Sequence, residues 1–258
     1  VFLKYKKLIL MIAAITLLIF CTAIGISKYI KYTHAERAAK ALADVRKDKI
    51  NVNCCGKGEP VVIFESGLNC GSSSWNYVQP VISKITKTFS YDRIDDGRST
   101  KDQVYELHAL LADTKVKGPY IIVAHSLGGF NARVFAGTYP DEVAGIIFVD
   151  SSSEKQHSNP KFRSENSREE NKMFDTDDAE VKEIRKKDAL RNMPIIVLTA
   201  DKEDSPDIRT DWINYQNDIA SLSNKSKHII INKSSHFIQI DHPDVVIDAI
   251  KEMIKEVK

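Results

Sequence analysis

The chain is poor in the residues that mark special architectures. Its 258 residues include 4 cysteines, 8 prolines, 11 glycines and 2 tryptophans. So little glycine and proline excludes a collagen-like repeat, and 43% hydrophobic residues excludes a wholly disordered chain. A surplus of one charge is missing too. Lys and Arg number 37 against 35 Asp and Glu, a net charge of +2, so nothing calls for a nucleic-acid partner. No cysteine and histidine clusters have the spacing of a zinc site. Adjacent Cys54 and Cys55 rarely bond each other; a bridge from either to Cys70 is open to an exported domain, and free thiols are the simpler reading.

Long apolar runs are also absent, with one exception. From Leu8 to Ile26 the chain reads LILMIAAITLLIFCTAIGI, flanked by Lys4, Lys6 and Lys7 before it and Lys28 and Lys31 after it. At about 1.5 Å per residue this nearly matches a hydrocarbon core of roughly 30 Å. It is longer than a usual signal-peptide core, and bulky Phe20 spoils the lipoprotein-like box ending at Cys21. The expectation is an uncleaved membrane anchor over residues 1–32 and a charged helical stem over 33–48. The short basic N-terminal stub then stays in the cytoplasm and the catalytic domain lies outside. The mean hydropathy of −0.27 averages over this run and describes no single part of the chain.

Beyond the stem, residues 49–258 alternate short β-branched runs with helical stretches. Strands are expected at Ile50–Cys54, Val61–Glu65, Phe89–Asp92, Tyr120–Ala124, Gly145–Val149, Ile195–Thr199 and His228–Ile231. Runs such as VVIF, YIIVA, GIIFV and IIVL are continuously apolar, as in strands buried on both faces of a parallel sheet. Helices are expected at Gln103–Asp113, Gly128–Thr138 and Pro243–Val257, the last with proline at its first position and one apolar side. The pattern predicts an α/β fold with a mostly parallel sheet. Residues 151–192 interrupt it with dense charge of both signs, and read either as a solvated loop with exposed helices or as a lid over a pocket.

The sharpest local signal is Tyr120-Ile-Ile-Val-Ala-His-Ser-Leu-Gly-Gly129. A buried strand runs into Ser126 and a helix-compatible stretch follows, the context of a nucleophile elbow. The tight turn needs small residues on either side, met by Ala124 and Gly128. A serine hydroxyl needs a base to take its proton. Among seven histidines, His236 alone follows the last expected strand in a loop preceding the terminal helix. His125 reads as a structural neighbour, because successive side chains on such a turn diverge.

Here the chain resembles the α/β-hydrolase superfamily, from about Ile50 to the C-terminus. Four motifs carry the resemblance: Pro60–Leu68 (PVVIFESGL), Tyr91–Ser99 (YDRIDDGRS), Ala124–Gly129 (AHSLGG) and Ser235–Pro243 (SHFIQIDHP). The family's elbow usually opens on glycine, so Ala124 is a departure. The resemblance implies oxyanion donors in the backbone N–H groups of Leu127 and Leu68, a pocket lined by Trp75 or Trp75 as core, and Asp92 and Arg93 holding their loop. It also implies an acid after a late strand. An ungapped count from Pro194 gives Glu203, one extra loop residue gives Asp204, and some members place the acid earlier, which matches Asp150. Chain order cannot decide among them; the charged ADKEDSPD loop lacks the usual glycine, which favours Asp150. The function implied is a serine hydrolase cleaving a carboxylic ester through an acyl-enzyme, with no metal or organic cofactor. The partners are a small-molecule ester or amide and, through the N-terminal helix, a membrane. An amidase or aminopeptidase on the same triad, and a non-catalytic binding module on the same fold, are the alternatives. The charged insertion disfavours a lipase working at an oil surface.

Overall fold

The computed structural model describes residues 2–94, 98–162, 168–201 and 206–258, with backbone alone for 2–14, 30–32, 34–35, 157 and 168–174. Among the described residues, seven strands form one sheet: β1 (Val52–Cys55), β2 (Val61–Glu65), β3 (Thr88–Tyr91), β4 (Tyr120–His125), β5 (Val143–Val149), β6 (Ile195–Asp201) and β7 (Ser226–Asn232). Their order is β1-β3-β2-β4-β5-β6-β7. β1 is antiparallel to β3 and every other pair is parallel. The expected strands are all present; β4 to β7 are each longer than expected by one to three residues, β3 is shifted by one, and β1 starts two residues later. The helices are α1 (Phe2–Asp48), α2 (Gln79–Ile82), α3 (Thr100–Asp113), α4 (Gly128–Thr138), α5 (Glu154–His157), α6 (Arg168–Lys186), α7 (Pro206–Ala220), α8 (Ile238–Asp241) and α9 (Pro243–Glu256).

Alternation along the central strands explains their unbroken hydrophobicity. Val61 and Ile63 of β2 join a core with Phe130, Phe135 and Val181, on the face covered by α1, α3, α4 and α6. Val62 and Phe64 join the opposite core with Trp75, Ile250 and Met253, under α2 and α9. Both faces are covered, so neither can be polar. Because the parallel strands share a direction, their C-terminal ends lie along one edge, the position where open α/β sheets gather their functional loops.

The expected stem continues α1 and lies against α3. Ala41 and Val45 are buried there, and Arg37–Asp102 (3.5 Å) and Arg46–Asp113 (2.9 Å) tie the two helices at their sides. Ahead of it, residues 15–29 are exposed all around the helix. The expected anchor finds no support in this: among the described residues no helix is long and apolar enough to cross a membrane. Residues 8–14 of the apolar run lie outside the described side chains.

The charged insertion is not merely solvated. Glu154 is buried in an ion pair with Arg133 of α4 (2.6 Å), and Arg185 of α6 joins both Glu154 (2.8 Å) and Asp218 of α7 (2.5 Å). Burial pushes the Glu154 carboxyl upward, but the Arg133 hydrogen bonds and the charges of Arg133 and Arg185 outweigh it and hold it at about 2. α7 was not expected from the sequence; its buried Trp212, Gln216 and Ile219 lie on one face. All four cysteines are free thiols.

Candidate active site

Ser126 stands where β4 turns into α4, with φ of 52°, the left-handed region that a sharp strand-to-helix turn imposes. The turn is packed from beneath. A Cβ on Gly128 would come 2.7 Å from the carbonyl oxygens of Glu65 and Ser66, so no larger residue fits there. The Ser126 backbone is also bonded into the end of β5. Its N–H donates to the Val149 carbonyl (3.3 Å), its carbonyl accepts from the Ser152 N–H (2.9 Å), and Ser151 Oγ donates to the Ala124 carbonyl (2.8 Å).

That strand end carries Asp150, wholly buried and with φ of 45°. Its Oδ2 lies 2.7 Å from His236 Nδ1, and His236 Nε2 lies 2.9 Å from Ser126 Oγ. The chain of bonds assigns the tautomer: a carboxylate accepts from Nδ1–H, which leaves the Nε2 lone pair facing the serine hydroxyl. The other carboxylate oxygen, Oδ1, accepts from the Ala200 N–H (2.9 Å) and from Trp212 Nε1–H (2.7 Å). Thus β6, the strand after which an acid is the alternative expectation, instead supplies a donor to Asp150 just after β5. Glu203 and Asp204 lie outside the described residues. Asp201, at the end of β6, is turned to Arg209 at 2.8 Å.

His236 follows β7 on a loop shaped by its own contacts. Ser235 N–H donates to Asp241 Oδ2 (2.8 Å), and the Ser235 hydrogen bonds hold the Asp241 carboxyl below its usual range. His125 Nε2–H donates to the His236 carbonyl (2.9 Å), with the two imidazole rings 4.6 Å apart. His125 therefore braces the loop of the second histidine, in keeping with its reading as a neighbour.

The loop after β2 passes against the serine. A Cβ on Gly67 would lie 3.1 Å from Ser126 Cβ, which brings the loop carrying Leu68 up to Ser126; Leu127 is the residue next to Ser126 in the chain. Arg93 anchors this loop, donating to the Ser66 carbonyl (2.6 Å) and the Gly67 carbonyl (3.0 Å), while its guanidinium pairs with buried Glu65 (2.6 Å). Glu65 also accepts from Tyr91 Oη (2.6 Å) and Asn131 Nδ2 (2.8 Å). Burial, and then the Glu65 charge, push the Tyr91 hydroxyl well above its ordinary value, so it stays a donor. Asp92 clamps the far end through Ser72 N–H and Oγ, both 2.8 Å. Trp75 does not line a pocket: it is fully buried against Phe64 and donates to Ser66 Oγ at 3.0 Å.

Two contributors escaped the sequence reading. Trp212 reaches Asp150 from a helix that was not expected, although Trp212, Gln216 and Ile219 repeat at helical spacing. Glu65 looked like a strand residue, and nothing local marks it as the partner of Arg93. Among the described residues, no group of three or more His, Cys, Asp or Glu is placed to hold a metal.

Comparison with known proteins gives the same outline. A family model described as alpha/beta hydrolase fold matches residues 60–191. The uncharacterized protein YqjL of Bacillus subtilis (strain 168) is 30% identical over 207 residues, covering 74% of this chain and 82% of that protein. A 2-(acetamidomethylene)succinate hydrolase of Mesorhizobium japonicum is 30% identical over 114 residues, 42% of this chain and 41% of that enzyme. Among solved structures, a thermophilic esterase from Thermogutta terrifontis superposes with a TM-score of 0.59 at 16% identity, over 81% of this chain and 93% of its own. With the strand order, the elbow and these matches together, the chain belongs to the alpha/beta hydrolase fold family.

Proposed function

We propose that this hydrolase is a serine hydrolase that cleaves a carboxylic ester through an acyl-enzyme. The observation that carries the reading is the unbroken hydrogen-bonded line Asp150–His236–Ser126, with the serine on a strained elbow. In the first step His236 Nε2 takes the Ser126 proton as Oγ attacks the ester carbonyl. Asp150 stabilises the imidazolium that forms. The backbone N–H groups of Leu127 and Leu68 receive the oxyanion, each such donor typically contributing about 3 kcal/mol of barrier lowering. The imidazolium then returns its proton to the departing alkoxide. Water, deprotonated by the same nitrogen, releases the acid and restores the serine.

A fluorophosphonate probe tests the chemistry directly. The folded chain is expected to be labelled, and Ser126→Ala to lose both label and turnover; a folded wild-type chain that never reacts would overturn the proposal. A panel of p-nitrophenyl esters of increasing chain length, run beside aminoacyl arylamides, separates ester from amide preference.

We also propose that the run Leu8–Ile26 sits in a bilayer and tethers the domain to it. Nineteen uncharged residues between lysine-bearing flanks support this. The tethered chain should stay with membranes through an alkaline carbonate wash; release by that wash sinks the tether.

A further inference from the structure

The indole of Trp212 has one polar atom, a donor. Its Nε1–H is spent on Asp150 Oδ1 at 2.7 Å, and a lone N–H keeps such a bond only while the ring holds its angle. The ring stands near-perpendicular to His236, at 74° with centroids 6.2 Å apart, and closer to parallel with Phe162, at 28° and 6.1 Å. Phe162 belongs to the charged insertion, where it ends a single helical turn, Pro160–Phe162.

That turn is short but closely bonded. Phe162 N–H donates to the Asn159 carbonyl (3.0 Å), and Lys161 N–H donates to Asn159 Oδ1 (3.1 Å). The Asn159 amide then reaches across to α7, donating to Asp211 Oδ2 (3.1 Å) and Tyr215 Oη (2.8 Å). Lys161 Nζ donates to the same Asp211 oxygen at 3.2 Å. Phe162 itself meets the Tyr215 ring edge-on, at 5.6 Å and 71°. Asp211 precedes Trp212 in the chain and Tyr215 lies about one turn after it, so these contacts grip α7 on both sides of the indole. An exposed pair such as Lys161–Asp211 adds little stability by itself. What the contacts fix together is the place of the Phe162 ring.

Resting on the serine-hydrolase reading above, we infer that Phe162 is a positioning residue for the acid. It holds the Trp212 indole at the angle from which Nε1–H reaches Asp150, and the clasp of Asn159 and Lys161 on α7 holds Phe162 in turn. Through this pair of rings the insertion acts on the orientation of Asp150, and so on that of His236. The consequence differs from that of a pocket wall. A ring that lines a pocket alters substrate binding, whereas a ring that aims a donor alters the chemical step and has no effect once the donor is gone.

The test uses the full chain in detergent micelles, with kinetics on a p-nitrophenyl ester and nuclear magnetic resonance of the indole N–H groups. The 2 tryptophans give two such resonances, and Trp212→Phe assigns its own by deletion. Phe162→Leu removes the ring and keeps its bulk; Phe162→Tyr restores the ring. Phe162→Leu is expected to lower kcat roughly tenfold at nearly constant KM, to move the Trp212 resonance upfield and to speed its exchange with solvent. Phe162→Tyr should return all three toward wild type. In a Trp212→Phe background, adding Phe162→Leu should cost nothing further. Losses that multiply in the double variant, or a raised KM at normal kcat, overturn the positioning role and make Phe162 a wall of the pocket. A Trp212 resonance and exchange rate unmoved by Phe162→Leu overturn it as well. Where Phe162→Leu does not fold, Asn159→Ala carries the same test, since it opens the clasp and leaves both rings intact; the same changes in smaller measure are expected, and wild-type kinetics with an unmoved resonance overturn the inference. The indole spectrum needs no turnover. A folded wild-type chain that hydrolyses nothing therefore refutes the serine-hydrolase reading, while the resonance still decides whether Phe162 holds Trp212.

Discussion

Asp150 and Glu65 are both fully buried carboxylates at the ends of neighbouring parts of one sheet, yet they are held in opposite ways. Glu65 has a resident cation: Arg93 pairs with it at 2.6 Å while Tyr91 and Asn131 occupy its remaining acceptor sites. The ring of donors and the guanidinium neutralise it permanently. Asp150 receives two uncharged donors, Ala200 N–H and Trp212 Nε1–H, and its remaining oxygen faces an imidazole. In the proposed reaction His236 becomes a cation as Ser126 gives up its proton, and the Asp150 carboxylate is the group that stabilises it. The same side-chain chemistry thus anchors a loop in one place and, in the proposed mechanism, serves the reaction in the other.

Substitution should separate the two carboxylates. Asp150→Asn keeps the shape but forfeits the charge, and steady-state kinetics should show kcat reduced roughly 10⁴-fold with the melting temperature little changed. If Glu65→Gln produced the same kinetic loss at unchanged stability, the distinction between the two sites would collapse. Arg93→Met should instead take the guanidinium from buried Glu65, lowering unfolding free energy in urea by about 3–5 kcal/mol. Activity should fall with it, because the loop bearing Leu68 loses its anchor.

Glu154 extends the contrast to pH. Its carboxyl stands at about 2 in the folded chain against an ordinary 4.5, so its stabilisation is complete above that ordinary value and is lost as the pH falls toward 2. Denaturation midpoints in wild type and Glu154→Gln should converge across that window, from a difference of about 3 kcal/mol at neutral pH. Trp212→Phe is the mildest change. Removing one neutral donor from the Asp150 carboxylate should cost about 2 kcal/mol in kcat, with KM nearly constant. A Trp212→Phe enzyme with raised KM and normal kcat would recast Trp212 as a substrate contact.

Much of this arrangement was legible before any coordinates, and the parts that were not share a cause. VVIF, YIIVA and GIIFV announce doubly covered strands because burial on both faces leaves no room for alternation. Ser126 is visible because its turn demands small neighbours at fixed local offsets, and His236 because it sits between the last strand and the last helix. Chain order does not separate Asp150 from Glu203 or Asp204, since every one of them follows a strand and precedes the histidine, and only the missing glycine of the ADKEDSPD loop favours Asp150. Which carboxylate meets the imidazole depends on which strand ends lie side by side in the sheet, a property that no local window contains. Trp212 escaped for the same reason: its spacing with Gln216 marks a helix face, but its hydrogen-bond partner is sixty-two residues away.

The hydrogen bonds that join the Ser126 backbone to the end of β5 have a mechanical consequence. Ser126 and Asp150 share one mounting, so vibration or mild heating should move them together and preserve their separation. The imidazole comes from another element, the loop between β7 and α8, and the His125 bond to the His236 carbonyl ties that loop to the elbow. Wear in this machine should begin at that joint, with the base drifting from a serine and an aspartate that still hold their alignment.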